Sequence, residues 1–190
     1  MPKPNVREKL LGAALDQFHR VGFNGSSVED ITSLAGVPKG SFYNHFKRKE
    51  DLAVEVIDRY VGVGPHAHLS KIEIPPLKRI KQYFALLGKD FVASGYKKGC
   101  LLGNFSTELS DHVAPVRAKL KSAFSNWVSL LAAVIREGQV AGEIEAKQKP
   151  EQLAGFLLSA WEGTLLRARA ENDPAILKEF VSVAFGQVLK

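Results

Sequence analysis

Glycine and proline residues divide the first fifty residues into short segments with helical spacing, and this division limits the fold more than any other feature. Residues 6–20 place their apolar side chains three to four positions apart, the spacing of an amphipathic helix, and Gly22 ends that helix. Ser27 is a typical N-terminal cap for a second short helix, which Gly36 ends. A third helix is predicted over residues 38–45, because proline is tolerated in a first helical turn.

The rest of the chain also has helical spacing. A fourth helix is predicted from Lys49 to about Val61, where glycine and proline follow. Further helices are predicted over residues 76–91, 100–110, 114–141, 151–171 and 174–189. No alternating apolar run is long enough for a strand. We therefore predict an all-α protein with about nine helices.

The length allows one good-sized core or a small N-terminal domain fused to a larger one, and we expect two compact units. The chain has 190 residues, of which 45% are hydrophobic and 24% are charged, so that disorder is excluded as its main state. The net charge of +6 favours polyanionic partners. However, residues 1–60 hold nine Lys or Arg against eight Asp or Glu. Any contact with nucleic acid must therefore come from a local cluster.

The sequence also argues against several classes of protein. The longest apolar stretch, residues 127–135, is too short to cross a bilayer, and the N-terminus has no secretory signal, so that a cytoplasmic protein without a membrane partner is expected. The lone Cys100 excludes an intramolecular disulfide. His66 and His68 have no third ligand for a metal. Residues 110–112, Ser-Asp-His, are adjacent and cannot form a catalytic relay, so we expect no enzyme and no cofactor.

Two short helices joined by a glycine-containing turn, with a supporting helix before them, are the minimal parts of a helix-turn-helix. The ungapped string VEDITSLAGVPKGSFYNHFKRKEDL, from Val28 to Leu52, resembles the signature of TetR-type transcriptional repressors. The resemblance implies a three-helix DNA-binding domain over residues 1–48 and a helical ligand-sensing and dimerisation domain over residues 49–190. It further implies a homodimer that binds a palindromic double-stranded DNA operator and is released by a small-molecule or electrophilic inducer. The alternative is a helical small-molecule-binding or interaction protein that does not bind DNA.

The resemblance assigns specific tasks to residues of this string and of the turn before it. The inner faces of the helices are expected to be Ile31, Ala35, Val37, Phe42 and Phe46. The residues expected to read base edges are Lys39, Ser41 and Asn44, with Gly40 allowing a close approach to the groove. Those expected to contact phosphate are Ser27, Tyr43, His45 and Lys49. The alternative is that residues 47–49 form a solvated charged turn and that Tyr43 is a half-buried aromatic residue.

A dimer interface is expected in the last two helices, because helix-turn-helix proteins that read paired half-sites act as two-fold dimers. Small and large apolar residues alternate there in a way that suits close helix packing. The residues predicted for the interface are Gly155, Ser159, Gly163, Phe180, Val181 and Ala184. The alternative for each residue is a place in the internal core.

The lone cysteine follows two lysines and comes at the start of a predicted helix, and both features favour a thiolate. The segment around Cys100 is similar to the corresponding region of the N-ethylmaleimide-reductase repressor and related thiol-responsive TetR-type members. The resemblance implies a cysteine that responds to electrophiles or oxidants, and the alternative is a small buried residue. The residues predicted for the ligand or sensor site are Cys100, Asn104, Phe105, Trp127 and Trp161, with the aromatic ones as core residues in the alternative.

Overall fold

The computed structural model describes residues 5–190, which contain nine α-helices and no strand. The helices are α1 Val6–Val21, α2 Val28–Ala35, α3 Gly40–Tyr43, α4 Lys49–Val63, α5 Pro76–Ala93, α6 Leu101–Leu109, α7 Ala114–Val140, α8 Pro150–Glu171 and α9 Ala175–Val183. A 3-10 turn at Pro65–Ser70 follows α4, and a π-helical turn at Ala184–Val188 follows α9. The prediction of an all-α protein with about nine helices is confirmed.

Two helices are shorter than predicted. The third was expected over residues 38–45, but α3 has one turn only, because its ends are tightened into i→i+3 bonds. The N–H of Ser41 donates to the carbonyl of Pro38 at 2.9 Å, and the N–H of His45 donates to that of Phe42 at 2.9 Å. The last helix was expected to continue to Leu189, whose N–H instead donates five residues back, to Ala184, at 2.9 Å.

The described chain divides into two compact units. The first contains the described residues up to Val63 together with Cys100–Ala123, and the second contains Gly64–Gly99 and Phe124–Lys190. Helix α7 therefore begins in the first unit and ends in the second. The division into domains at residues 1–48 and 49–190 is a functional one and stays a prediction. Residues 1–4, which belong to the predicted first domain and to the N-terminal stretch in which no secretory signal is expected, lie outside the described residues.

The core of the first unit forms where α1, α2, α3, α4 and α6 meet. Apolar residues that are fully buried there come from each of these helices: Leu10, Phe18, Ile31, Phe42, Leu52, Ile57 and Phe105. Of the predicted inner-face residues, Ile31, Phe42 and Phe46 are buried, whereas Ala35 and Val37 are half-buried. This core fixes the direction in which the remaining faces of α2 and α3 point.

Arg79, at the start of α5, is a buried charge that holds the second unit together. Its side chain is only 2% exposed. The guanidinium donates to the carbonyl of Leu69 at 3.0 Å, to that of Ile74 at 3.2 Å and to the Glu137 carboxylate at 2.8 Å. One side chain thus joins the 3-10 turn, the loop before α5 and helix α7. These partners are 5 to 58 positions away in sequence.

The predicted break between α5 and α6 is a tight turn in which Gly95 and Tyr96 both have left-handed backbone, with φ of 65° and 62°. A non-glycine residue in this region is strained, so the surrounding contacts must hold it. Arg169 provides them, because its guanidinium donates to the carbonyls of Tyr96 at 3.1 Å and Lys97 at 2.9 Å. Helix α8 therefore fixes the turn that precedes α6. No helix within residues 5–190 is long and apolar enough to span a membrane.

Candidate DNA interface and sensor region

The start of α2 is fixed by a reciprocal pair of side chains, Ser27 and Asp30. The Ser27 hydroxyl accepts from the N–H of Asp30 at 3.0 Å, while the Asp30 carboxylate accepts from the N–H of Ser27 at 2.8 Å. The carboxylate also accepts from the Ser27 hydroxyl at 2.6 Å. These bonds from the Ser27 side chain and backbone lower the pKa of Asp30. The predicted cap at Ser27 is confirmed, and the Ser-x-x-Asp spacing was the signal for the partner that sequence reasoning missed.

The turn between α2 and α3 depends on a left-handed residue, Gly36, with φ of 65°. Its N–H donates to the carbonyl of Ser33 at 3.1 Å, and the following N–H of Val37 donates to that of Thr32 at 3.0 Å. These bonds satisfy the last carbonyls of α2. A Cβ at this position would meet nothing within 4 Å, so glycine is required here by its backbone angle rather than by space.

Helix α3 buries one face and exposes the other. Phe42 is fully buried and Phe46 is 4% exposed, so these rings anchor the segment in the first unit. Of the predicted DNA contacts in this segment, Ser41 is half-buried and the others are exposed: Lys39, Gly40, Tyr43, Asn44 and His45. A Cβ added at Gly40 would meet nothing within 4 Å. Nothing in the fold of the chain itself thus requires glycine at position 40.

Two of the predicted basic contacts have partners within the unit. The Lys39 ammonium lies 3.1 Å from the Glu29 carboxylate, and both side chains are exposed, which makes this a weak surface pair. The Lys49 ammonium donates to the carbonyls of Phe23 at 2.9 Å and Ser26 at 2.5 Å and lies 4.0 Å from the centre of the Phe23 ring. Partial burial lowers the pKa of Lys49, against the opposing effect of nearby carboxylates. Two of its three donors are therefore already used in the loop before α2.

Helix α6 packs in the same unit as the helix-turn-helix. The Phe105 ring is fully buried, with its centre 5.6 Å from that of Phe18 and 6.2 Å from that of Phe23. One turn later, the Glu108 carboxylate accepts from the N–H of Asn24 at 2.7 Å. Phe105, predicted to line the sensor site, therefore serves as a core residue of the first unit, since its ring is covered by the two phenylalanines. Sequence reasoning missed Glu108, whose partner lies 84 positions away.

Cys100 is the N-terminal cap of α6 and is 5% exposed. The predicted position of the thiol at a helix start is thus confirmed, and its burial limits access to it. Asn104, one turn further along, is half-buried, and its N–H donates to the carbonyl of Cys100 at 3.0 Å. The predicted sensor residues divide between the units, because Trp127 and Trp161 belong to the second.

Trp161 packs between two phenylalanine rings in the second unit, with its ring centre 5.3 Å from that of Phe84 and 5.1 Å from that of Phe180. It also lines an open apolar groove of about 710 Å³ between α5 and α9, with Gly88 and Val181 among the other lining residues. Trp127 is buried elsewhere in this unit, beside His66 and Tyr83.

The comparisons with known proteins agree over the whole chain. Residues 10–56 match "Bacterial regulatory proteins, tetR family", and residues 76–184 match "Tetracyclin repressor-like, C-terminal domain". The HTH-type transcriptional repressor DhaR of Mycobacterium sp. (strain GP1) is 37% identical over 192 residues, covering 100% of this chain and 95% of that repressor. This chain belongs to the TetR family. The family consists of transcriptional regulators with a helix-turn-helix, which bind DNA operators as dimers and respond to small-molecule ligands.

Two more proteins are similar to this TetR-family regulator over most of its length. The transcriptional regulator AcuR of Cereibacter sphaeroides is 31% identical over 92% of this chain and 81% of AcuR. The crystal structure of Escherichia coli NemR in its reduced form matches with a TM-score of 0.85 and 26% identity over 94% of each chain. The helix-turn-helix prediction and the similarity to the NemR repressor are confirmed at the level of family and fold.

The predicted dimer residues of the TetR-family regulator differ in exposure. Ser159 and Gly163 are exposed on α8, Gly155 and Val181 are half-buried, and Phe180 and Ala184 are buried within the chain. Phe180 contacts Phe84 and Trp161, which leaves little of it for a partner. Sequence reasoning missed three large apolar side chains that are more than half exposed on α8 and α9: Phe156, Leu166 and Val183. A helical-wheel projection of α8 is the sequence signal that could have identified two of them, Phe156 and Leu166.

Proposed function

We propose that this TetR-family protein is a cytoplasmic repressor that holds a palindromic operator through α3 and the turns beside it and releases it when an inducer acts on the rest of the chain. The observation that carries the proposal is the exposed polar face of α3, set on the buried rings of Phe42 and Phe46. The proposed functional boundary lies after residue 48. A location in the cytoplasm follows from the need to reach bacterial DNA.

The exposed side chains divide by chemistry into two groups. Lys39 and Asn44 suit guanine and adenine edges, with Ser41 able to bond to either. Tyr43 and His45 suit phosphate, where they would fix the register without reading sequence. Lys49 has one donor left for a phosphate, and Ser27 would contribute mainly by fixing the start of α2, because its hydroxyl is used in the cap. The open space at Gly40 would let the DNA backbone or a base approach the helix closely.

Fluorescence anisotropy on a duplex selected from a random pool tests these roles. Asn44→Ala should cost about 1–3 kcal/mol of binding free energy on the selected duplex and relax the preference for one base. Lys121→Ala removes an exposed polar side chain elsewhere in the first unit and should leave affinity within about twofold. Equal effects of Asn44→Ala and Lys121→Ala would contradict the reading role.

We further propose that one face of α8 carries the dimer interface. Phe156, Ser159, Gly163 and Leu166 are spaced three or four positions apart, so they share one face. Its two large residues are 56% and 59% exposed, which is unusual for apolar side chains that meet only water. Phe156 and Gly163 also line a hollow of about 300 Å³ with Val183 of α9, into which a side chain of a second copy would fit. The small residues would allow the two helices to approach closely.

Light scattering of purified variants tests this interface. Leu166→Asp places a charge on the proposed face and should convert the dimer to a monomer that binds its duplex at least tenfold more weakly. Val140→Asp is the matched control, because Val140 is 86% exposed and lies outside α8 and α9. A Leu166→Asp protein that stays dimeric would exclude this face.

Release of the operator is proposed to act through α6. This helix begins at Cys100, contacts the α1 core through Phe105, and holds the loop before α2 through Glu108. A displacement of α6, by ligand or by modification of the thiol, would therefore reach the residues that set the position of α2. The buried thiol must become accessible for modification, so the rate of its reaction would be set by how often the fold opens locally around Cys100.

Replacement of the thiol separates the two routes of release. Cys100→Ser should keep DNA binding, because serine is a good N-terminal cap for α6, and should blunt release by N-ethylmaleimide. Cys100→Ala provides the matched variant without a capping hydroxyl. Full release of either variant by the reagent would exclude the thiol route and leave a bound ligand as the inducer.

A further inference from the structure

The indole of Trp127 is a buried hydrogen-bond donor without an acceptor. Its side chain is 4% exposed, and Nε1 has no hydrogen-bond partner within residues 5–190. An indole N–H can only donate, and a buried donor that is left unpaired costs free energy. Buried polar groups in folded proteins are nearly always paired, so an exception points to a partner that binds from outside the chain.

Two polar aromatic residues lie beside this indole. The His66 ring centre is 5.5 Å from that of Trp127 at an interplanar angle of 81°, and the Tyr83 ring centre is 6.5 Å away at 85°. The Tyr83 hydroxyl and His66 Nδ1 are 3.1 Å apart and hydrogen-bonded to each other. Tyr83 is fully buried and His66 is half-buried, so the His66 side of the group is the side nearer to solvent. These three residues, all in the second unit, form what we name the Trp127 cluster.

The Trp127 cluster is uncharged. Burial lowers the pKa of His66, which favours its neutral ring at pH 7. The one buried charged side chain among the described residues of the second unit is Arg79, and its guanidinium is already bonded to two carbonyls and to Glu137. An anionic ligand at the Trp127 cluster would lose its water without gaining a buried cation, which is costly.

We propose that the Trp127 cluster binds a small neutral molecule through an oxygen acceptor, such as a ketone carbonyl, with Trp127 Nε1 as the donor. This inference rests on the proposed function, in which the chain responds to a ligand, and it names the chemical class of that ligand. The aromatic rings of His66 and Tyr83 provide apolar walls for the rest of the molecule. Carboxylates bind more weakly than neutral molecules of the same chain length, because the Trp127 cluster offers them a hydrogen-bond donor but no positive charge.

Nuclear magnetic resonance of the indole groups tests the proposal without DNA. The chain has two tryptophans, so a ¹⁵N-labelled protein gives two indole N–H signals, and Trp127→Phe assigns them. The probes are the methyl ketones from butan-2-one to octan-2-one and the linear carboxylates of matching length. Ketones of at least one length should move the Trp127 signal downfield, and their Kd should be at least about tenfold lower than that of the matching carboxylate.

Trp127→Phe keeps an aromatic ring and removes the donor. It should weaken ketone binding about tenfold or more, measured by calorimetry. The ligand-free protein should stay folded, because removal of an unpaired buried donor offsets part of the packing that is lost with the larger ring. The matched control is Phe91→Leu, which removes a buried ring packed beside Tyr96 in the same unit and should lower stability while leaving the ketone Kd unchanged.

Three results would overturn the proposal. The first is a Trp127 signal that no ketone of the series moves. An upfield position of this signal in the ligand-free protein would then indicate that the N–H already points at the face of the His66 ring. The second is tighter binding of the carboxylates than of the ketones. The third is an unchanged ketone Kd in Trp127→Phe. Because these measurements need no DNA, a protein that binds ketones at Trp127 without losing its operator affinity would contradict the proposed function alone.

Discussion

The segment from Ser27 to Lys49 and the second unit hold their polar groups in opposite ways. In the segment, caps and turns satisfy the backbone locally, and the predicted contact side chains are mostly exposed. In the second unit, the buried Arg79 and Tyr83 bond to Glu137 and His66, which are 58 and 17 positions away in the sequence. Substitution of an exposed side chain in the segment should therefore change binding without changing stability. Substitution of a buried polar group in the second unit should change stability and binding together.

The largest effect that this comparison predicts is on stability in the second unit. Arg79→Met should lower the free energy of unfolding by about 2–4 kcal/mol, because it leaves two carbonyls without their donor. Urea denaturation measures it. The matched variant, Arg48→Met, removes an exposed arginine that is 3.5 Å from Asp51 and should change stability by less than about 0.5 kcal/mol. Similar losses of unfolding free energy in both variants would contradict the contrast between the exposed segment and the buried groups of the second unit.

An intermediate effect is predicted on DNA affinity alone. Gly40→Ala adds a methyl group that meets nothing in the chain, so the protein should be unchanged in stability or gain up to about 1 kcal/mol from helix propensity. Its affinity for a selected duplex should fall about tenfold or more, since the methyl group occupies the space left for DNA. Anisotropy and urea denaturation of the same preparation separate the two effects. Unchanged affinity would show that the open space at position 40 has no role in binding.

The smallest effect is predicted at the cap of α2. Ser27→Ala should cost about 1 kcal/mol of stability at neutral pH. The lowered pKa of Asp30 means that its contribution is present above the ordinary value of 3.8 and is lost as the pH falls through the lower folded value. In Ser27→Ala, the Asp30 carboxyl should titrate closer to 3.8, as measured by ¹³C resonance. An Asp30 pKa that is equal in both proteins would exclude the reciprocal cap.

The sequence predicts the parts of the molecule that depend on near neighbours. Ser27, Gly36 and Gly22 mark helix ends because capping and left-handed turns involve residues a few positions apart. The short length of α3 could not be predicted, since the choice between i→i+3 and i→i+4 bonds at its ends is decided by how Phe42 and Phe46 pack in the core.

The candidate site follows the same rule. The exposed residues of α3 follow from one continuous string, whereas the surroundings of the predicted sensor residues depend on contacts across the fold. Phe105 was predicted as a sensor residue and is a core residue of the first unit. The position of His66 beside Trp127 joins residues 61 positions apart in the sequence, and no local pattern marks that contact.

The central claim is that α3 reads DNA as part of a two-fold dimer, and selection from a pool of random duplexes at low salt tests it most directly. The purified chain should enrich a palindromic sequence, and its affinity for that sequence should fall steeply and linearly in a plot of log K against log salt. The preference for one base of the selected sequence should be relaxed in Asn44→Ala and kept in Lys121→Ala. A chain that enriches no sequence, or that enriches the same palindrome equally well as Asn44→Ala, would contradict the account.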